Sequence, residues 1–433
     1  MKSILILAVF LFISIVLSAQ TSEIQTALDN YRYKDALALI DNEPQTAENL
    51  RLKASVYEKL YNYSAALAIY EQLLQQHPND VNLVISMAEC ASQAGNAQQS
   101  LRRWITADSL SPENLFIQTK KAMAYYRNSN WKETIEASQP VFRSDSIPLL
   151  LRMVGDAHQN LYDPIWANYY YTKALEKNPS DHVALSRICE YFYAMEEEGY
   201  DTVVVMTEKY LTEINPNQTT IGQLNGMANY SIGEFDKAID RLTKNVELGD
   251  SSYTTVYFLG MSNYGKRWYY EAIKWLELAY HRNRNDVNIY YYYGTALGNG
   301  NKQKQAVKIL QEGMDLIGEM SEKLFDFDIS MAETYLKMNN RKAIDYYSSA
   351  YKRRPAQHQL LYSIARAYDT MKDQKNAITF YERFLKTAPA DLDVTSIAFT
   401  EDEKMTMKNF YYINSFRRIK ELQEQLFMQS GKK

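Results

Sequence analysis

The chain has 433 residues, and its 48 lysines and arginines against 52 aspartates and glutamates give a net charge of -4, which excludes a phosphate-binding surface as its organising feature. Its 15 glycines and 10 prolines are near half the usual share of each, so helix breakers are scarce. With 46% hydrophobic residues and 36 tyrosines it has ample material for a core, much of it carrying a hydroxyl that needs water or a partner.

Residues 1–19 read as a secretory signal peptide. Lys2 is followed by an apolar run from Ile4 to Leu17 with a single serine, then Ser18 and Ala19 ahead of polar Gln20. The run is short for a membrane span. Cleavage is expected after Ala19. Leu17, three positions before that cut, is larger than the favoured small residue, which leaves an uncleaved N-terminal anchor as the alternative. No cysteine stands near the cut, as a lipoprotein would need. The leader resembles those of Gram-negative envelope proteins, which implies a periplasmic or secreted chain.

Residues 20–45 hold a partial helical pair, with Ala27, Leu28, Ala36, Leu37 and Ile40 at helical spacing before Pro44. A firm register then runs over 46–390. Ala54, Ala66, Tyr70 and Pro78 are matched 34 positions later by Ala88, Ser100, Trp104 and Pro112, and Gly260, Ala272, Leu276 and Ala279 by Gly294, Ala306, Leu310 and Gly313. Small residues on both sides of a bulky apolar one suit two antiparallel helices, where the small residues let backbones approach and the large one fills the gap. Pro78, Pro112, Pro179, Pro216, Pro355 and Pro389 each end a repeat, because proline cannot continue a helix and restricts the residue before it. The pair that starts near position 181 inserts extra residues around "MEEEGYD", where a bulge on one face is expected. Residues 391–433 begin with an acidic stretch without periodicity. They end in a lone helix whose stripe of Tyr412, Phe416, Ile419, Leu422 and Leu426 is expected to cover the last repeat.

This pattern resembles the tetratricopeptide repeat family. The resemblance implies an all-α, right-handed superhelical solenoid of helix pairs, about ten or eleven on this register, with a C-terminal capping helix. It also implies a scaffold that binds other molecules on the concave face lined by the first helix of each pair. Carried onto this register, the twelfth position of the pairs gives Tyr126, Tyr193, Tyr230, Tyr264 and Tyr335, the ninth Met123, Met227 and Met261, and the fifth Tyr257 and Tyr291. Tyrosine offers a flat apolar ring with a polar tip and methionine adapts its shape, so these are the candidate partner-binding residues, suited to an extended peptide or a sugar chain. Packing against the next repeat is the competing reading. Slots where chaperone-binding members hold lysine and asparagine are here Tyr257, Met261, Tyr291 and Thr295, so that carboxylate clamp is missing.

Catalytic, metal and cofactor sites are not expected. His77, His182, His281 and His358 fall near junctions between repeats and His158 in a core slot, and residues spread along a repeat array do not converge on one ligand. Asp156 and His158 stand two apart on one helix and so face different ways. Cys90 and Cys189 fall in first helices three repeats apart, beyond disulfide reach, and read as small buried residues. No HExxH, CxxC or GxSxG occurs. The sequence thus points to a non-catalytic interaction scaffold of the cell envelope with a protein or peptide partner, a glycan-binding module being the alternative.

Overall fold

The computed structural model describes residues 23–318, 322–390, 392, 394–395 and 407–430, so the leader and most of the stretch after Pro389 lie outside the described residues. The described elements are all helical, and within each unit successive helices pack in pairs. The pairs are α1 (23–29) with α2 (Tyr33–Asp41), α3 (Ala47–Lys59) with α4 (Tyr63–Gln76), α5 (Val81–Gln93) with α6 (Ala97–Leu110), α7 (Leu115–Arg127) with α8 (Trp131–Ser144), and α9 (Pro148–Asn160) with α10 (Pro164–Lys177). Next in sequence are α11 (His182–Tyr193), within which the two units divide, and α12 (Tyr200–Glu213), followed by the pairs α13 (Thr219–Ser231) with α14 (Phe235–Glu247), α15 (Tyr253–Gly265) with α16 (Tyr269–Arg282), and α17 (Val287–Asn299) with α18 (Gln303–Ile317). The last pairs are α19 (Leu324–Leu336) with α20 (Asn340–Arg353) and α21 (Gln359–Thr370) with α22 (Gln374–Leu385), before the single α23 (Met407–Ser430). The chain forms two compact units, divided after Tyr191.

Two turns, repeated in kind, set the pairs. Between first and second helix, one residue takes a left-handed backbone conformation: Tyr31, Tyr61, Gly95, Ser129 and Tyr162 in the N-terminal unit, Gly233, Arg267, Asn301 and Lys372 in the C-terminal one. The next amide donates back five residues, as Asn62 does to the Tyr57 carbonyl and Lys302 to that of Leu297, which satisfies a carbonyl that the helix end would leave orphaned. Asn62, Asn96, Asp163 and Asp373 then cap the second helix by accepting an amide hydrogen bond. At the other turn, Asp80, Asn114, Asp181 and Asp286 cap the first helix of the next pair.

Within a pair, the helices meet at a small residue and a large one. A β-carbon on Gly260 would lie 2.7 Å from Leu276 Cγ, and one on Gly294 would lie 2.6 Å from Leu310 Cγ. Only glycine lets the backbones come that close. Ala88 against Trp104 is the same junction in the N-terminal unit, with both residues buried in one cluster.

The insertion after α11 folds as a short 3-10 turn, Glu196–Glu198, with all three carboxylates in solvent. Gly199 closes it, pressed so near the Phe192 carbonyl that no side chain would fit. At the C-terminal end, α23 lies on α22. Tyr412 is buried, its ring parallel to that of Phe384 at 4.3 Å, while Ile419 and Leu422 pack with Ala365, Ala377 and Tyr381. Arg418 donates two bonds to Asp369, from Nε at 2.7 Å and Nη2 at 2.9 Å. Of the expected stripe, Tyr412, Ile419 and Leu422 are buried, whereas Phe416 and Leu426 are half-exposed.

Candidate functional site

In the C-terminal unit the first helices touch in succession, α13 against α15, α15 against α17 and α17 against α19. Their side chains therefore form one wall. Because the pairs repeat, a tyrosine on one first helix stands beside the aromatic of the next. Tyr230 meets Phe258 at 5.4 Å, Phe258 meets Tyr257 at 5.4 Å, and Tyr257 stacks on Tyr253. Tyr292 joins the ladder from α17, with its ring 6.4 Å from Tyr257, 5.9 Å from Tyr264 and 5.1 Å from Tyr291, and Tyr291 leads on to Phe327 at 5.6 Å. Most of these contacts are edge-to-face, the arrangement that ring quadrupoles favour.

Four residues singled out from sequence, Tyr230, Tyr257, Tyr264 and Tyr291, come together here, each half-buried, with Met227 half-buried on α13. Met261 and Tyr335 sit deeper. Met261 is buried in the core beneath the wall, and Tyr335 lies flat on Tyr346 at 5.6 Å with the Lys342 ammonium over its ring. Tyr193 shares a hydrogen bond of 2.8 Å with Ser231 and packs on Tyr200. The sequence register passed over Tyr253, Phe258 and Tyr292, although Tyr292 touches three of the other rings. Its signal was the tyrosine run 290–293, which splits into buried Tyr290 and Tyr293 and half-buried Tyr291 and Tyr292.

Burial raises the wall hydroxyls, Tyr230 to about 12 and those of Tyr257 and Tyr264 further, with neighbouring tyrosines adding to the shift. The wall is therefore uncharged at physiological pH. Tyr253 donates to Asp286 at 2.7 Å. Glu333 on α19 is open to solvent by area, yet the surrounding protein raises its carboxyl above the usual range against the opposing charge of Lys337.

In the N-terminal unit, Tyr126 is held by structure. Its hydroxyl donates to Asp156 at 2.8 Å, and Tyr171 donates to the other oxygen of the same carboxylate at 2.7 Å. His158 points elsewhere. It is half-buried rather than in the core slot expected, parallel to Tyr170 at 5.3 Å, with Nδ1 3.2 Å from Asp163. Met123 lines an open groove of about 670 Å³ with Glu58, Tyr61, Trp104, Lys120 and Arg127. Two of the cations there are engaged, Lys120 with Glu89 at 3.2 Å and Arg127 with the Ser92 hydroxyl at 2.6 Å. Cys90 lies at the groove's back and Cys189 in the core, and burial pushes both thiols up to about 12, which leaves them protonated and unreactive at neutral pH. Among the described residues no cluster of histidine, cysteine or acidic side chains is placed to hold a metal ion, and no helix is long and apolar enough to cross a membrane.

Family models for the tetratricopeptide repeat match residues 59–104 and residues 334–391, one stretch in each unit. The chain carries tetratricopeptide repeats. Among solved structures it is similar to YrrB, described as a tetratricopeptide repeat protein with an unusual peptide-binding site, at 20% identity over 47% of this chain and 97% of that one, with a TM-score of 0.39. Yeast Tom70 is 12% identical over 95% of this chain and 96% of its own, with a TM-score of 0.35. The Cut9-Hcn1 hetero-tetramer of the APC/C is 16% identical over 90% and 82%, with a TM-score of 0.40. No curated protein matches the chain in sequence. The tetratricopeptide fold is a protein-interaction scaffold, and this chain's pairs, turns and small-to-large junctions are of that kind.

Proposed function

We propose that this tetratricopeptide repeat protein is a non-catalytic scaffold of the bacterial cell envelope that holds a peptide or protein partner on the first-helix wall of its C-terminal unit. One observation carries the reading: half-buried tyrosines from three successive first helices meet as a continuous ladder, which keeps part of each ring open to a guest. Tyrosines in such numbers supply contact area at low entropic cost, the usual composition of binding anchors. The leader, read from Lys2 to Ala19, supports export. Its fate is checked by fractionation and N-terminal sequencing, where a chain starting at Gln20 supports cleavage and an intact Met1 in the inner membrane supports the anchor.

The test is capture from envelope fractions with the chain from Gln20 beside a Tyr230→Ala, Tyr264→Ala double variant. One or two envelope proteins held by the native chain and lost with the variant, at unchanged helicity, are expected. If both chains hold the same proteins, the wall is not the binding face. Oligosaccharide titration addresses the glycan-binding alternative that the tyrosines also suit.

A further inference from the structure

The first helices that build the wall carry no cation. Across the 13 residues each of α13, α15, α17 and α19 there is no Lys, Arg or His, although lysine and arginine make up 48 of the chain's 433 residues. The absence belongs to this face, since second helix α14 has Lys237, Arg241 and Lys244, and first helix α7 of the other unit has Lys120, Lys121 and Arg127. The tyrosine ladder is neutral, and the charge of the face enters at its α19 end, with Asp326, Asp328 and Glu333. Asp328 is buried and belongs to the core, accepting from Arg353 Nε at 2.9 Å and from Ser349 at 2.7 Å. Asp326 and Glu333 are exposed, and among the described residues neither carboxylate has a hydrogen bond or an ion pair. With Ser330 between them they follow one stripe of the helix, and Ser330 lies 3.3 Å from the Thr295 hydroxyl of α17, so the stripe faces the ladder. Both carboxylates act on it. After burial, the charge of Asp326 raises the Tyr292 hydroxyl, and after burial and two adjacent tyrosines, that of Glu333 raises Tyr264.

We propose that this face takes an extended peptide segment bearing lysine or arginine side chains, whose cations pair with Asp326 and Glu333 while their stems lie along the tyrosines; the specification rests on the scaffold reading above. The open groups of the face are acceptors. The hydroxyls of Tyr230, Tyr257, Tyr264 and Tyr292 have no hydrogen-bond partner among the described residues and are not sealed from solvent. Amide donors are engaged within the face, Gln223 with Ser252 and Thr255, and Asn263 with the Leu259 carbonyl. An ammonium or guanidinium group is the complement, all donor and no acceptor, on an apolar stem. Cations of the chain flank the face only at its turns. Lys266 is held by Asp236 at 2.8 Å, Lys323 by Asn288 at 2.9 Å and Lys337 by the Gly298 carbonyl at 2.9 Å, while Arg267 and Lys302 stand in solvent. An exposed carboxylate is ordinarily just solvated. Glu333 departs from that, since burial raises it despite the charge of Lys337, as befits a carboxylate short of a counter-charge. A neutral sugar could also donate to these oxygens, but it would leave both negative charges uncompensated, and an acidic segment would add to them. A cationic side chain supplies donor and counter-charge together.

The experiment is panning of phage-displayed random dodecapeptides on the full chain, followed by titration of the enriched peptides as synthesised. Each peptide is also made with norleucine in place of lysine and citrulline in place of arginine, which keep the stem and remove the charge. Enriched peptides carrying Lys or Arg are expected, with the neutral analogues roughly tenfold weaker and the affinity of the originals falling as salt rises. An Asp326→Asn, Glu333→Gln double variant should weaken the cationic peptides by a similar factor, leave their neutral analogues unaffected and melt as the native chain does. Peptides that lose binding to a Tyr257→Ala variant but are indifferent to the double variant and to their own charge leave the scaffold reading standing and sink this one. If no enriched peptide depends on the wall, or if only neutral oligosaccharides do, both fall.

Discussion

Gly260 and Leu276 face each other across one helix pair so closely that a β-carbon on the glycine would lie 2.7 Å from the leucine's Cγ and 3.1 Å from its backbone nitrogen. Gly294 and Leu310 repeat the relationship 34 residues on. Alanine is the better helix former by up to about 1 kcal/mol, but overpacking a fitted junction costs about 1–3 kcal/mol. Gly260→Ala should therefore lower the stability of the C-terminal unit, read as a lower urea midpoint. A raised midpoint would mean that the pair relaxes freely and that the junction is not close-packed.

The final helix is held by one buried ring. Tyr412 is 1% exposed, stacked on Phe384, and its hydroxyl reaches the Thr387 carbonyl at 3.1 Å. Tyr412→Ala leaves a cavity and should cost about 3–5 kcal/mol. Because repeat arrays are stabilised chiefly by nearest neighbours, hydrogen exchange should speed up in α21, α22 and α23 and stay unchanged in α3 to α6. Exchange that rises evenly through the chain would contradict that locality.

Glu58 gives a pH signature in the N-terminal unit. Burial, with help from the charge of Glu89, raises its carboxyl above the usual range against the opposing hydrogen bond of Tyr70. A carboxyl whose folded value is raised contributes stability that is fully present below its unfolded value, about 4.3, and is lost as pH rises through the folded value. Glu58→Gln removes the ionisation. The variant should melt above the native chain at pH 7, and the gap should close by about pH 4. A gap that widens on acidification would show that the carboxylate, not the acid, is the form the fold favours.

Much of the fold is legible in the sequence because the constraints that shape it are local and recur. Proline at a repeat's end, a small residue sixteen positions before a large one, as Gly260 stands before Leu276, and an apolar stripe on the last helix each have one physical meaning wherever they appear. The left-handed turns were less legible. Gly95 and Gly233 announce that conformation, but Tyr31, Tyr61, Tyr162 and Arg267 adopt it without any glycine to mark it. The site was legible in part. Reading each pair at its fifth, ninth and twelfth positions found Tyr257, Tyr264 and Tyr291 but passed over Tyr292, because its contacts lie on the preceding pair and are not periodic within its own helix. Sequence could not tell Met261, buried in the core, from Met227, left half-open one pair earlier, since both occupy the same register position.

The wall as binding face is tested most directly by photo-crosslinking in living cells. p-Benzoylphenylalanine placed at Tyr257 or Tyr292 replaces one wall ring with another, and the same residue at Tyr270, 69% exposed on second helix α16, serves as the contrast. Discrete light-dependent adducts from positions 257 and 292, with none from 270, are the expected result. Adducts from 270 alone would place the partner on the second helices and contradict the assignment of the wall.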